Sequence, residues 1–291
     1  MRKIYLLICS ILFTALLSLN SFAVFYPELK FIGFSENGKY LAFEESGEAR
    51  GAYKDSYFDY ATTYYVAVAK NSFALPPTYL EMPEGVMSKP YLVRRESYYK
   101  KQVSLKLKKL GIKSGNTGDF VVAHFLNDWS FVKPGERESI FYEKGKTDPT
   151  PKIVTDYAGG YGKQKTSEIE KIVFHNILDS YQWTDVFFEL TLIPTLLKPN
   201  GGCPESYKFE LTLKNNSLRK ETKLQILQKD GDIVPENRIC SIGYKIERVY
   251  IYRYRIAVVL NVFSEDMMDG SFEHPSIDMN YMVVTGLISD K

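Results

Sequence analysis

Asn37-Gly38 separates two short runs of strand-forming residues, Phe31 to Phe34 and Tyr40 to Glu44, and the pattern it opens recurs to the end of the chain. An Asn-Gly pair supplies the positive φ angles of a type I′ turn, so this segment reads as a β-hairpin. A third strand is expected over Thr62 to Ala69, after a loop crowded with Tyr53, Tyr57, Phe58 and Tyr60. Strand signals then return at Phe120 to Phe125, Ser139 to Glu143, Glu170 to His175, Val186 to Ile193 and Tyr207 to Leu213. They continue at Thr222 to Gln228, Tyr244 to Tyr252, Arg255 to Phe263 and Asn280 to Gly286. Pro134-Gly135, Gly159-Gly160, Asn200-Gly201-Gly202 and Asp230-Gly231 part them as turns. Parallel strands need crossover helices, and only one stretch of this chain reads as helix. The expected fold is therefore mainly β, with antiparallel sheets in a sandwich- or barrel-like arrangement. The Phe34-to-Phe43 hairpin looks like the inner strands of a propeller blade, but it occurs once and no repeat period follows, which argues against a full propeller.

The helical stretch is residues 88–110, where Leu92, Tyr99, Val103, Leu107 and Leu110 fall on one face and Gly111 supplies the stop. It is also the most basic part of the chain. Arg94, Arg95, Lys100, Lys101, Lys106, Lys108, Lys109 and Lys113 stand against one acid, Glu96. Two readings follow. The first seven cations are candidate contacts to an anionic envelope surface such as phospholipid or lipopolysaccharide headgroups. Alternatively they are the solvated outer face of a helix packed on a sheet, or they face the acidic stretch near the C-terminus.

Composition bounds the partners. Over 291 residues, 37 Lys and Arg meet 35 Asp and Glu. That near-balance excludes a general nucleic-acid binder, which needs a clear basic excess. The surplus sits in Arg2 and Lys3, which precede the apolar run Ile4 to Leu19 and the small-residue site Ser21 and Ala23. Residues 1–23 thus read as a signal peptide and 24–291 as one exported β-rich domain, periplasmic or secreted. An uncleaved anchor is the other reading, because Ile4 to Ala23 is long enough to span a bilayer. Without the leader two cysteines remain, Cys203 and Cys240. In an oxidising compartment they are a candidate disulfide worth about 4 kcal/mol in the loop-entropy model; as thiols they are small buried hydrophobes.

The residues also resemble a known family. Gly33-Phe34-Ser35 with Gly38-Lys39-Tyr40 and Ala42-Phe43-Glu44 carry the likeness near the start. Phe209-x-Leu211-x-Leu213, Leu227-x-x-Asp230, Pro235-x-x-Arg238-x-Cys240-x-x-x-Tyr244-x-Ile246, Phe272-Glu273-x-Pro275 and Val284-Thr285 carry it later. On these residues the chain is similar to bacterial predicted secreted proteins grouped as domain of unknown function 2259. The resemblance implies export and a β-rich fold, and it brings no activity or catalytic residue with it. The chain departs from the family in its Lys-rich helix, where the family is rich in Ala and Leu, and in Ser271, where Gly is usual.

Catalytic constellations are missing from the pattern. His124, His175 and His274 are the only imidazoles, and no G-x-S-x-G elbow occurs. The first two lie in strand patterns, which leaves His274 as the better candidate of the three. Gly159-Gly160-Tyr161-Gly162-Lys163 lacks the phosphate-loop spacing, and Cys203 and Cys240 lack close second ligands for zinc. No cofactor is expected. Glu265, Asp266, Asp269, Glu273, Asp278 and Asp290 read as a solvated acidic stretch rather than a calcium loop. The aromatic segment Tyr53 to Tyr65 reads as core packing at a strand entry, with stacking on sugar or peptide as the alternative. The functional expectation is a non-catalytic envelope or binding protein. The alternative is a hydrolase of envelope carbohydrate using paired carboxylates, with Glu44, Glu45 and Glu273 as candidates, which requires two carboxyls about 5 to 10 Å apart.

Overall fold

The computed structural model describes residues 27–50, 57–83, 88–124, 139–141, 152–153, 169–175, 186–197, 206–217, 223–231, 238, 241–265 and 277–288. Strands β1 (Glu28–Phe34), β2 (Tyr40–Arg50), β3 (Tyr57–Ala67) and β4 (Ser72–Pro83) come first, followed by the helix α1 (Lys89–Leu110). Then come β5 (Asp119–His124), β6 (Ser139–Phe141), β7 (Lys152–Ile153), β8 (Glu170–His175), β9 (Val186–Leu197), β10 (Ser206–Ser217) and β11 (Lys223–Lys229). The last three are β12 (Ser241–Tyr252), β13 (Arg255–Glu265) and β14 (Ile277–Leu287). They form three sheets: a proximal meander β1-β2-β3-β4, a distal meander β11-β10-β9-β8, and a central six-stranded sheet ordered β14-β13-β12-β5-β6-β7. All pairings are antiparallel. The mainly β expectation holds, and the sheets stack rather than close into a barrel.

The stacking follows from alternation along the central strands. In β13, Ile256, Val258, Leu260 and Val262 point toward the distal sheet and join Phe188, Leu190, Phe209 and Leu211. The residues between them, Ala257 and Val259, point the other way and join Phe31, Phe34, Leu41, Phe43 and Val66 of the proximal sheet. A strand buried on both faces must be apolar at nearly every position, which is why Ile256 to Leu260 reads as an unbroken apolar run rather than an alternation. The helix α1 covers part of the remaining face of the proximal sheet.

The two-residue β7 was not expected, and β3 takes in Tyr57, Phe58 and Tyr60 of the expected loop; two further differences bear more on the fold. The β1–β2 turn is not type I′: Gly38 alone has a left-handed backbone (φ 67°), while Asn37 keeps a negative φ. The Ser35 carbonyl accepts the Gly38 N–H at 2.8 Å, and the Asn37 side-chain oxygen accepts the Lys39 N–H at 2.9 Å. Asn37 therefore acts through its side chain, which makes an Asx turn and frees the residue from the αL conformation. The second difference is β4, which was not expected at all. It pairs with β3 across the two prolines Pro76 and Pro77, with register shifts there, and prolines are tolerated because β4 is the edge of its sheet.

One residue ties the layers together. Asn71, in the left-handed region at φ 47°, accepts the Thr285 N–H from β14 at 2.8 Å and donates to Gln228 of β11 at 2.7 Å. It lies between β3 and β4, so it touches all three sheets. Glu45 of β2 accepts the Tyr281 N–H at 3.1 Å, so two side chains from the proximal side engage two outer N–H groups of β14.

Candidate functional site

Helix α1 has the ends its sequence requires. Ser88 precedes it in an extended conformation, and a proline lies in its first turn, where a missing N–H costs nothing. At the far end Gly111 is left-handed, its N–H reaches the Lys108 carbonyl, and the Ile112 N–H reaches Leu107. That is the Schellman closure, and it explains the stop at Gly111.

Three sets of contacts fix which face looks inward. Tyr99 and Val103 are buried against Leu80, with Ala61 and Met82 beside them. The Tyr99 hydroxyl lies 2.7 Å from Thr63 Oγ1 and donates to Glu44 Oε2 at 2.8 Å. Burial pushes the Tyr99 phenol up, and the neighbouring Glu44 carboxylate adds to the shift. Lys106 donates to the Pro76 carbonyl at 2.8 Å and stands 5.3 Å above the Tyr65 ring. Of the seven cations expected at an anionic surface, Lys106 is therefore turned to the sheet and serves as an anchor. Lys100 is engaged by Glu96 at 2.6 Å, and Arg95 lies over the Tyr91 ring at 5.9 Å.

Arg94, Lys101, Lys108 and Lys109 are exposed and form no ion pair with a described residue. Lys108 and Lys109 also lie in the last turn, where positive charge favours the helix dipole. The same outward face shows Tyr91, Tyr98 and Leu105, exposed by 46%, 66% and 53%. Their signal was present in the sequence as the heptad spacing 91, 98, 105, but the inward stripe drew the reading instead.

Beneath the helix, between it and the β1–β3 face, runs an open groove of about 1490 Å³. Leu80, Tyr99, Val103 and Leu107 form its apolar wall, and Lys30, Glu44, Glu48, Asp59 and Lys108 supply charges of both signs.

The carboxylates expected for hydrolysis do not converge. Glu44 and Glu45 are neighbours on β2, so they point to opposite faces: Glu44 toward α1, Glu45 toward the central sheet. Glu273 lies outside the described residues, as do Cys203, Cys240, His274, the leader, Asp266, Asp269 and Asp290, whereas Glu265 and Asp278 of the acidic stretch fall in the paired strands β13 and β14 rather than in a loop. Burial raises the Glu45 carboxyl against the pull of the Tyr281 N–H and the Tyr60 hydroxyl. Glu247 of β12, which the sequence reading passed over, is raised by burial too and sits with Arg248 at 2.9 Å, near Asn261 and Tyr281. Neither shift is caused by another carboxylate, although both groups reach Tyr281, Glu45 through its N–H and Glu247 through its side chain. Among the described residues no three His, Cys, Asp or Glu side chains gather as metal ligands, and no helix is long and apolar enough to cross a membrane.

Compared with family models, curated proteins and solved structures, the chain matches none of them.

Proposed function

We propose that this is an exported, non-catalytic protein of the cell envelope that binds an anionic surface through helix α1. The observation that carries this reading is the row of outward cations Arg94, Lys101, Lys108 and Lys109, exposed and without a described acidic partner. Near an anionic surface each contributes roughly 1 kcal/mol. The inward contacts of Tyr99, Val103 and Lys106 hold the helix with Arg94, Lys101 and Lys109 turned away from the protein, while the exposed Lys108 also borders the groove. The leader-like residues 1–23 and the resemblance to predicted secreted proteins support the envelope as the place where such a surface is met.

Lys101→Glu with Lys108→Glu should weaken sedimentation with vesicles of phosphatidylglycerol at least tenfold, and binding of the wild type should fall as salt rises through 0.15 M. Sedimentation of the double variant equal to wild type would remove the reading. Neither side chain makes an ion pair with a described residue, so loss of the fold is not expected, and a melting curve checks it.

A further inference from the structure

The outward face of α1 holds more than charge. Tyr91, Arg94, Tyr98, Lys101, Leu105 and Lys108 follow one another at spacings of three and four residues, which sets them in a single stripe along the helix. All six are exposed. The stripe spans about 26 Å at 1.5 Å per residue. Cation and apolar side chain alternate along it, and all three apolar members belong to the exposed large hydrophobic side chains of the described residues.

A soluble polyanion would be served by the cations alone and has no use for three projecting apolar groups. A second copy of this chain would bring cations onto cations along the same stripe. A bilayer satisfies both halves. Tyr rings and Leu are suited to the boundary between headgroup and acyl chain, while Lys and Arg stems bend up to the phosphates. We infer that the outer stripe of α1 inserts Tyr91, Tyr98 and Leu105 shallowly into the headgroup layer of an anionic phospholipid bilayer. This rests on the proposed binding through α1 and names the surface as lipid. Since the opposite stripe of the helix is already committed to Tyr99, Val103 and the proximal sheet, the helix cannot roll to bury its larger apolar face. Contact is limited to the projecting side chains.

The test uses the full secreted chain with Tyr98→Trp, its emission compared with that of the wild type to remove the native tryptophans. Phosphatidylglycerol vesicles should shift the difference emission to the blue, and lipids brominated high on the acyl chain should quench it. Dextran sulfate, a soluble polyanion, should do neither. The triple variant Tyr91→Ser, Tyr98→Ser, Leu105→Ser should lose at least tenfold in vesicle binding while keeping its binding to dextran sulfate. Binding to vesicles with no shift, no quenching and full retention by the triple variant would overturn insertion and leave the charge-based reading standing. Failure of the wild type to bind either probe would overturn both.

Discussion

Asp230 and Arg238 meet inside the molecule as a bidentate pair, with two contacts of 2.7 Å and side chains almost fully buried. Asp230 also accepts the Phe209 N–H at 3.0 Å, and the guanidinium stands 5.2 Å from the Phe209 ring centre and 5.9 Å from that of Tyr244, two rings that themselves touch. Burial alone would raise the Asp230 carboxyl, but the Arg238 and Phe209 hydrogen bonds hold it below the usual carboxylate range. A depressed folded pKa means stability that is present above the unfolded value near 3.9 and lost as pH falls through the folded one. Arg238→Ala should cost about 3 to 5 kcal/mol in urea unfolding at pH 7, because it strands a buried carboxylate. The cost should shrink below pH 4, and Asp230→Leu with Arg238→Met should recover most of it; a single-variant cost independent of pH would contradict this account. Asp230, Arg238 and Tyr244 stand in the motifs that carry the family resemblance. Their separation along the chain concealed that they touch, so the motif reads as packing only once the fold brings β10, β12 and the β11 end together.

At the scale of elements, legibility followed burial. The stretch Arg255 to Phe263 announced β13 because both of its faces are covered, and α1 announced itself because its inward stripe and Gly111 agree. β4 was hidden: Pro76, Pro77 and Pro83 break its pattern, and its pairing depends on being an edge, which no local signal reports. The outward stripe of α1 was legible as charge for an anionic surface, but its projecting Tyr91, Tyr98 and Leu105 were not, since exposure of Tyr98 follows only from where Tyr99 is anchored. That anchor makes a prediction of its own. Tyr99→Phe removes the hydroxyl shared by Thr63 and Glu44, so it should lower stability by about 1 to 2 kcal/mol in urea unfolding while leaving far-ultraviolet spectra unchanged. No loss of stability would show that the helix is held by its apolar contacts alone.

At the scale of the whole molecule, the layer between the proximal and central sheets carries two buried acids, Glu45 and Glu247, each 5 to 6% exposed. Both are raised by burial, so the folded state holds their protons more tightly than the unfolded chain does. Their contribution to stability is therefore fullest at or below the unfolded value near 4.3, and it declines as pH rises from there through the folded values. Glu247→Gln should then match the wild type at pH 4.5 and exceed it at pH 7.5 in urea midpoint; an equal offset at both pH values would refute the assignment. Glu45 has a further consequence. With Asn71 it occupies the outer N–H groups of β14 at Tyr281 and Thr285, the row through which a sheet can recruit a strand from a neighbour. On the proposed membrane surface, where copies would crowd in two dimensions, those two engaged N–H groups would oppose zipping along β14 into a continuous sheet.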